Sequence, residues 1–428
     1  MINILTGDAA EKALTRITAE EVFFDPKKEN AVRQIVDDVK KNGDRALIKY
    51  AKKFDGVNLS RNEIKVSPKE INDAYKNVSD SYLRALKSAI RNITSYHKRQ
   101  KADEWFETLP DDVVLGMRNI PIDRVGLYVP GGTAVYPSSV LMNAIPAKVA
   151  GVRSMEIVTP PRKGGGCNPH ILVAAAEVGV GDIYKAGGCQ AIAALAFGTE
   201  TIPKVDKIVG PGNLYVTLAK KYVYGHVGID KLAGPSDIVI IADEDSEAQY
   251  IAADMLAQAE HDVDSKAVLI STSMPLAKKV VAEINKQIKK IKRSKIARAA
   301  INNNGYIFVV DGLRKAVEMS NRLAPEHLEI LSSPPQNILE NIRNAGAVFL
   351  GPHSPVAVGD YIAGPNHVLP TAGAARFSSP LSVYDFIKKQ SIIGYTKPAL
   401  KAQLEDIRTL AMVEGLDAHA RSVEIRFK

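Results

Sequence analysis

The chain has 428 residues, 46% of them hydrophobic and 24% charged, a balance that excludes a disordered or fibrous protein. One hydrophobic core stops growing well below this length, so two main lobes are expected. The net charge of +8 comes from 56 Lys+Arg against 48 Asp+Glu, and the 286–298 stretch alone holds seven basic residues and no acidic one, so the rest is nearly neutral and no nucleic-acid surface is expected.

The amino terminus, MINILTGDAAEK, has no basic flank followed by an apolar core, and no window approaches the roughly 18 apolar residues of a membrane span. Neither export nor membrane insertion is expected. Cys167 and Cys189 form no disulfide framework and no zinc-knuckle spacing, which points to a reducing cytoplasm. Residues 1 to about 110 carry Lys, Asp, Glu, Ala and Ile at helical intervals, notably in 30–54 and 68–99, so a mostly helical entry region is predicted.

From about residue 124 short apolar runs at 125–129, 155–159, 182–185 and 207–209 alternate with Ala-rich helical stretches, the pattern of βαβ units on a parallel sheet. A second series has strands at 238–242, 267–271, 306–310 and 347–350, with helices near 246–260, 274–291, 312–323 and 335–344. The class is therefore α/β with two doubly wound lobes. Ile284, Ile288 and Ile291 recur at helical spacing, so the basic stretch reads as the solvated face of an amphipathic helix. Beyond Pro380 helix returns, with 398–413 closed by Gly415.

In doubly wound folds ligands sit beyond the carboxyl ends of the strands. Four glycine-rich loops fall there: 128–132, 186–190, 210–213 and 234–236, the first three leading into helices. Each reads either as a tight strand-to-helix turn or as a backbone cradle for an anion such as a pyrophosphate. Tyr128, Gln190 and Asn213 stand at three of the turns, and none matches G-x-G-x-x-G. Gln258 and His261 are three apart, which puts both on one helix face after a cap at Asp245-Ser246. Asp360 follows Gly359, and His419 lies in EGLDAH. Imidazole and carboxylate together suit zinc or a related divalent ion, although these separations match no local metal signature. In APEHL, the adjacent Glu326 and His327 follow a helix that Pro325 stops and read as a loop pair able to move protons near neutral pH, or as an incidental surface pair. GPNH adds His367.

The chain resembles the histidinol dehydrogenase family through VGLYVPGG at 125–132, AGGCQAIAALAFGT at 186–199, IVGPGN at 208–213, LAGPSD at 232–237, LAQAEHD at 256–262, LAPEHLEI at 323–330, VGDYIAGPNHVLPT at 358–371 and EGLDAH at 414–419. The resemblance implies a zinc-dependent, NAD-linked dehydrogenase taking L-histidinol through L-histidinaldehyde to L-histidine, with two NAD reduced. It implies zinc ligands at Gln258, His261, Asp360 and His419, an acid/base pair at Glu326 and His327, substrate contacts at Ser236, His367 and Glu414 besides those residues, and NAD contacts at Tyr128, Gln190 and Asn213. It also implies a homodimer in which the tail bearing His419 completes the partner's site, and an incomplete Rossmann-like NAD lobe. The expected units are an N-terminal helical extension at 1–25, a metal-bearing and catalytic α/β domain at 26–127 plus 237–380, an NAD-binding α/β domain at 128–236 and a C-terminal tail at 381–428.

Two other classes use the same residues. A zinc hydrolase or lyase would set Glu326 on metal-bound water and produce no NADH. A two-lobed small-molecule binding protein would use the glycine loops and leave Glu326 and His327 dispensable.

Overall fold

The computed structural model describes residues 2–19, 25–131, 135–332 and 334–428. Part of the expected 1–25 extension, and Gly132 of the first glycine-rich loop, lie outside the described residues.

Strand β1 (Asn3–Thr6) comes first, followed by helices Gly7–Ala19, Pro26–Tyr50, Pro68–Tyr75 and Asp80–Lys98. Strands β2 (Trp105–Leu109) and β3 (Val113–Pro121) precede a parallel series: β4 (Arg124–Tyr128), β5 (Ser154–Thr159), β6 (Ile183–Lys185), β7 (Lys207–Val209) and β8 (Gly228–Ile229). A second parallel series comprises β9 (Asp237–Ala242), β10 (Lys266–Ser271), β11 (Gly305–Val309), β12 (His327–Ile330) and β13 (Ala347–Leu350), and β14 (Ile387–Gly394) closes the strand set.

The first series makes a five-stranded sheet in the order β6-β5-β4-β7-β8, and the second a six-stranded sheet in the order β1-β11-β10-β9-β12-β13. Apart from β1 the two windings are the same: the first strand is central, the next two go to one side, and the last two to the other. Both are therefore doubly wound sheets with a switch point beside the first strand, β4 against β7 and β9 against β12. The strands are buried on both faces, with Leu127, Ile157, Ile183 and Ile208 in one sheet and Ile238, Ile240, Leu269 and Ile307 in the other fully covered, as continuous Val/Ile/Leu runs require. No helix among the described residues is long and apolar enough to cross a membrane.

Several boundaries differ from the sequence reading. The N-terminal extension is not purely helical, because β1 pairs with β11 from Asn3 opposite Tyr306 to Thr6 opposite Val309; four residues are too few for a visible period. The helices of 26–98 cover the five-stranded sheet, not the six-stranded one. Val32, Val36 and Val39 pack with Ile192 and Leu195, and Leu86, Ala89 and Ile93 with Val140 and Ile145. A third, antiparallel sheet, β14-β3-β2, stands where helix was read on both sides; β2 and β3 form a local hairpin, but β14 pairs with β3 across more than 260 residues, which no local window contains. The basic stretch spans the end of helix Met274–Gln287 and the start of Ser294–Asn304, with a turn between them. In the tail, Gln403 breaks the expected single helix into Lys397–Ala402 and Leu404–Val413.

Candidate active site

Glu326 lies in the bend just before β12, as expected of a loop, but His327 does not. His327 opens β12, which lies between β9 and β13 with His327 opposite Ile238 and Ala347. Both side chains are buried, at the amino end of the six-stranded sheet and so opposite to the end where ligands were sought. The neighbouring strand begins there with Ser236 and Asp237. The Asp237 amide donates to Glu326 Oε2 at 3.2 Å, and the Glu326 amide donates back to Asp237 Oδ1 at 3.3 Å.

His327 Nδ1 stands 3.0 Å from the Asp237 carbonyl oxygen. A carbonyl can only accept, so Nδ1 carries the proton and Nε2 of the neutral ring is left as the acceptor. Burial pushes the Glu326 carboxyl up to about 8, against the opposing pull of the Ser236 hydroxyl and the Asp237 amide. Burial and the Glu326 charge push Asp237 up to about 7. The candidate pair is thus a carboxyl whose proton affinity burial raises and, 3.7 Å away, an imidazole in a fixed tautomer.

The other metal candidates of this lobe come to the same place. Gln258 is buried in the last turn of helix Ala248–Ala259, and His261 follows just beyond its end. Burial lowers the His261 pKa, opposed first by Asp360 and reinforced by His327. Asp360, near the end of Val356–Tyr361, lies 3.7 Å from His367 Nδ1, and burial likewise lowers His367. Behind these groups Glu329 shares a strand face with His327 and accepts the Val356 amide at 3.1 Å, at the start of the helix that carries Asp360. Burial and the adjacent Asp254 raise the Glu329 carboxyl, so helix Ala248–Ala259, β12 and helix Val356–Tyr361 meet at a protonated acid.

Gln258 offers a direct test of fit to a metal. Its buried Nε2 has no hydrogen-bond partner. The amide nitrogen and oxygen are interchangeable by a flip, so a carbonyl oxygen is available at a buried position three residues before His261. Both Gln258 and Asp360 sit at helix carboxyl ends, where the backbone dipole favours a cation. This donor set fits a divalent ion but is incomplete. Among the described residues no three His, Cys, Asp or Glu side chains enclose a metal. His419 and Glu414 are exposed on the tail, and one chain does not bring them to this cluster.

The cofactor candidates meet at the carboxyl end of the five-stranded sheet. The Gly188 amide donates to the buried Tyr128 hydroxyl at 3.1 Å, and Gln190 is buried in the first turn of helix Gly188–Phe197. Asn213 caps helix Leu214–Val223, its Oδ1 accepting the Tyr215 and Val216 amides, so the cap does not use its NH2. A Cβ at Gly210, whose φ is +115°, would lie 2.2 Å from the Tyr128 carbonyl oxygen, so only glycine lets the two loops nest.

Four residues were missed as site components. Lys220 and Asp230, both buried, pair at 2.7 Å. Lys220 donates to the Gly210 carbonyl and Asp230 accepts the Gly210 amide at 2.8 Å, so one ion pair holds both backbone groups of the turn. Lys231 then donates to the Val368 and Ser379 carbonyls at 3.0 and 2.7 Å, and its charge reaches Glu326. The fourth is Asp237. Only Asp237 left a local signal, an acid directly after Ser236 in LAGPSD. The expected cap at Asp245-Ser246 does not form: Ser246 bonds Asp243 and the Leu331 carbonyl instead, and the helix starts at Ala248.

The histidinol dehydrogenase family model matches residues 20–427. Over 397 residues the chain is 55% identical to the histidinol dehydrogenase of Bacillus cereus, covering 93% of this chain and 92% of that one. It is 52% identical over 395 residues to that of Bacillus subtilis, with 92% of each covered. The crystal structure of histidinol dehydrogenase from Elizabethkingia anophelis matches with a TM-score of 0.94 at 38% identity, over 100% of this chain and 98% of that one.

Proposed function

The chain belongs to the histidinol dehydrogenase family, and on that premise we propose that its two sheets divide the oxidation of L-histidinol to L-histidine between them. The protein is an NAD-linked oxidoreductase of histidine biosynthesis. The observation that carries the division of roles is the bond from His327 Nδ1 to the Asp237 carbonyl, which leaves Nε2 as base.

In the first oxidation His327 Nε2 takes the proton of the alcohol oxygen while a hydride leaves the carbinol carbon for NAD and the C=O bond forms. Glu326, raised by burial and steadied by Ser236 and the Asp237 amide, then removes a proton from water as it adds to the aldehyde. The hydrate gives a second hydride to a second NAD and becomes the carboxylate. Tyr128, Gln190 and Asn213 line the cofactor crevice, and His367 stands beside Asp360 against the substrate.

Zinc would be held by Gln258, His261 and Asp360, with His419 supplied by a second copy of the chain; when bound it serves as a template for the imidazole and amino nitrogens of histidinol. A homodimer is supported by the tail itself, whose His419 and Glu414 are exposed together with the apolar Leu410, Val413 and Ile425.

The deciding experiment counts NADH formed per histidinol consumed, with and without a chelator. Two NADH per substrate, lost on chelation and restored by zinc, are expected. A single NADH, or indifference to the chelator, would overturn the reading.

A further inference from the structure

A doubly wound sheet that binds a dinucleotide grips the adenosine ribose with a carboxylate at the carboxyl end of the strand following the first one. In the five-stranded sheet that strand is β5, and it ends in Val158 and Thr159 before Pro160 and Pro161. It offers no acid. The Thr159 hydroxyl is buried and without a hydrogen-bond partner. Pro160 fills the space beside it: a Cβ on Gly131 or Gly187 would come within 2.7 or 2.5 Å of its ring.

A carboxylate does reach this end from the helical layer. Helix Pro26–Tyr50 runs on into the wide turn Ala51–Asp55. Tyr50 packs in one core cluster with Tyr128, Val158, Tyr184 and Ala186, at the carboxyl ends of three strands. Val57, just past the turn, would touch a Cβ on Gly165 at 3.6 Å, in the loop that follows β5. Asp55 Oδ2 is buried there with no hydrogen-bond partner. Burial pushes the carboxyl up to about 6, and its charge acts on the Tyr128 hydroxyl, the group that ties the first cofactor loop to Gly188. An unpartnered buried carboxylate oxygen is costly unless something donates to it. A vicinal diol supplies two donors.

We propose that Asp55 binds the 2′- and 3′-hydroxyls of the adenosine ribose and makes this site select NAD over NADP. The carboxylate accepts from the diol, whereas a 2′-phosphate would bring a dianion against it. The inference rests on the reading of this sheet as the NAD site and goes beyond it by naming the residue that discriminates between the two cofactors.

The test is calorimetric binding of NAD, 2′-deoxy-NAD and NADP to the zinc-loaded full-length wild type and to Asp55→Asn, with thermal midpoints recorded alongside. Wild type is expected to prefer NAD to both analogues. Asp55→Asn is expected to bind NAD about ten- to a hundredfold more weakly, as loss of a charged hydrogen-bond acceptor implies, to distinguish poorly among the three, and to melt no lower than wild type. Unchanged NAD affinity in the variant would overturn the assignment. An equal loss for all three ligands with a lowered midpoint would overturn it too, since that marks a structural role. Failure of wild type itself to bind NAD would refute the cofactor reading of the sheet, and with it this inference.

Discussion

The two parallel sheets share a winding and carry their candidate residues at opposite ends. The five-stranded sheet places its glycine turns at the carboxyl ends of β4, β6 and β7, where helices begin and the backbone dipole favours an anion. The six-stranded sheet gathers Glu326, His327, Gln258, His261 and Asp360 at its amino end, where helices finish and carbonyls favour a cation. In this second sheet the switch point between β9 and β12 is plugged at the carboxyl end by Ser246, which bonds the Leu331 carbonyl. The lesson is that strand order does not fix the working edge; the sign of the ligand's charge and the helix ends that meet it do.

The most severe test of this division is His327→Asn. Both oxidations should fall by roughly a hundred- to ten-thousandfold, with calorimetric NAD affinity unchanged; a parallel loss of NAD binding would mean that the two sheets are not separate workplaces. Glu326→Gln should slow histidinaldehyde oxidation more than histidinol oxidation in single-turnover measurements. Equal slowing of both steps would remove the water-activating role.

Lys220→Met attacks the other sheet. It strands the Asp230 carboxylate in the interior, at a cost of about 3–5 kcal/mol, and frees the Gly210 turn. Thermal melting should drop and KM for NAD should rise while zinc content holds. A variant with lowered stability but an unaltered KM would reduce the ion pair to a folding role.

A smaller effect concerns pH. Glu329 and Asp254 are raised by burial, so the folded chain binds their protons more tightly than the unfolded chain does. Stability from this pair is complete below the ordinary carboxylate range and drains away as pH climbs through the raised values. Glu329→Gln stays neutral and should flatten the fall in melting temperature between pH 5 and 9; an unchanged slope would count against the pair. The mildest change is Ser246→Ala, expected to cost about 1 kcal/mol in denaturant unfolding with no effect on either oxidation. A catalytic defect there would give the plugged end a part in the chemistry.

Much of this was legible in the sequence because it was local. Apolar runs such as 238–242 and 267–271 fell within a residue of β9 and β10, and the glycine turns marked the cofactor edge. What escaped depends on pairing across distance. The strand at His327 is four residues long and is recognisable only between β9 and β13, so its first residue was read as part of the loop that holds Glu326. Lys220 and Asp230 are unremarkable as letters and matter because their ion pair holds the carbonyl and the amide of Gly210. Glu326 takes its raised proton affinity from burial, a property of the folded interior that no spacing encodes.

The dipeptide Asp230-Lys231 has a consequence for traffic. One residue fastens the cofactor turn and the next fastens the segments at Val368 and Ser379 that border the catalytic cluster. A hinge that swung the sheets apart at this seam would break both attachments at once. On the proposed division of work, dinucleotide would exchange along its own crevice without opening this seam.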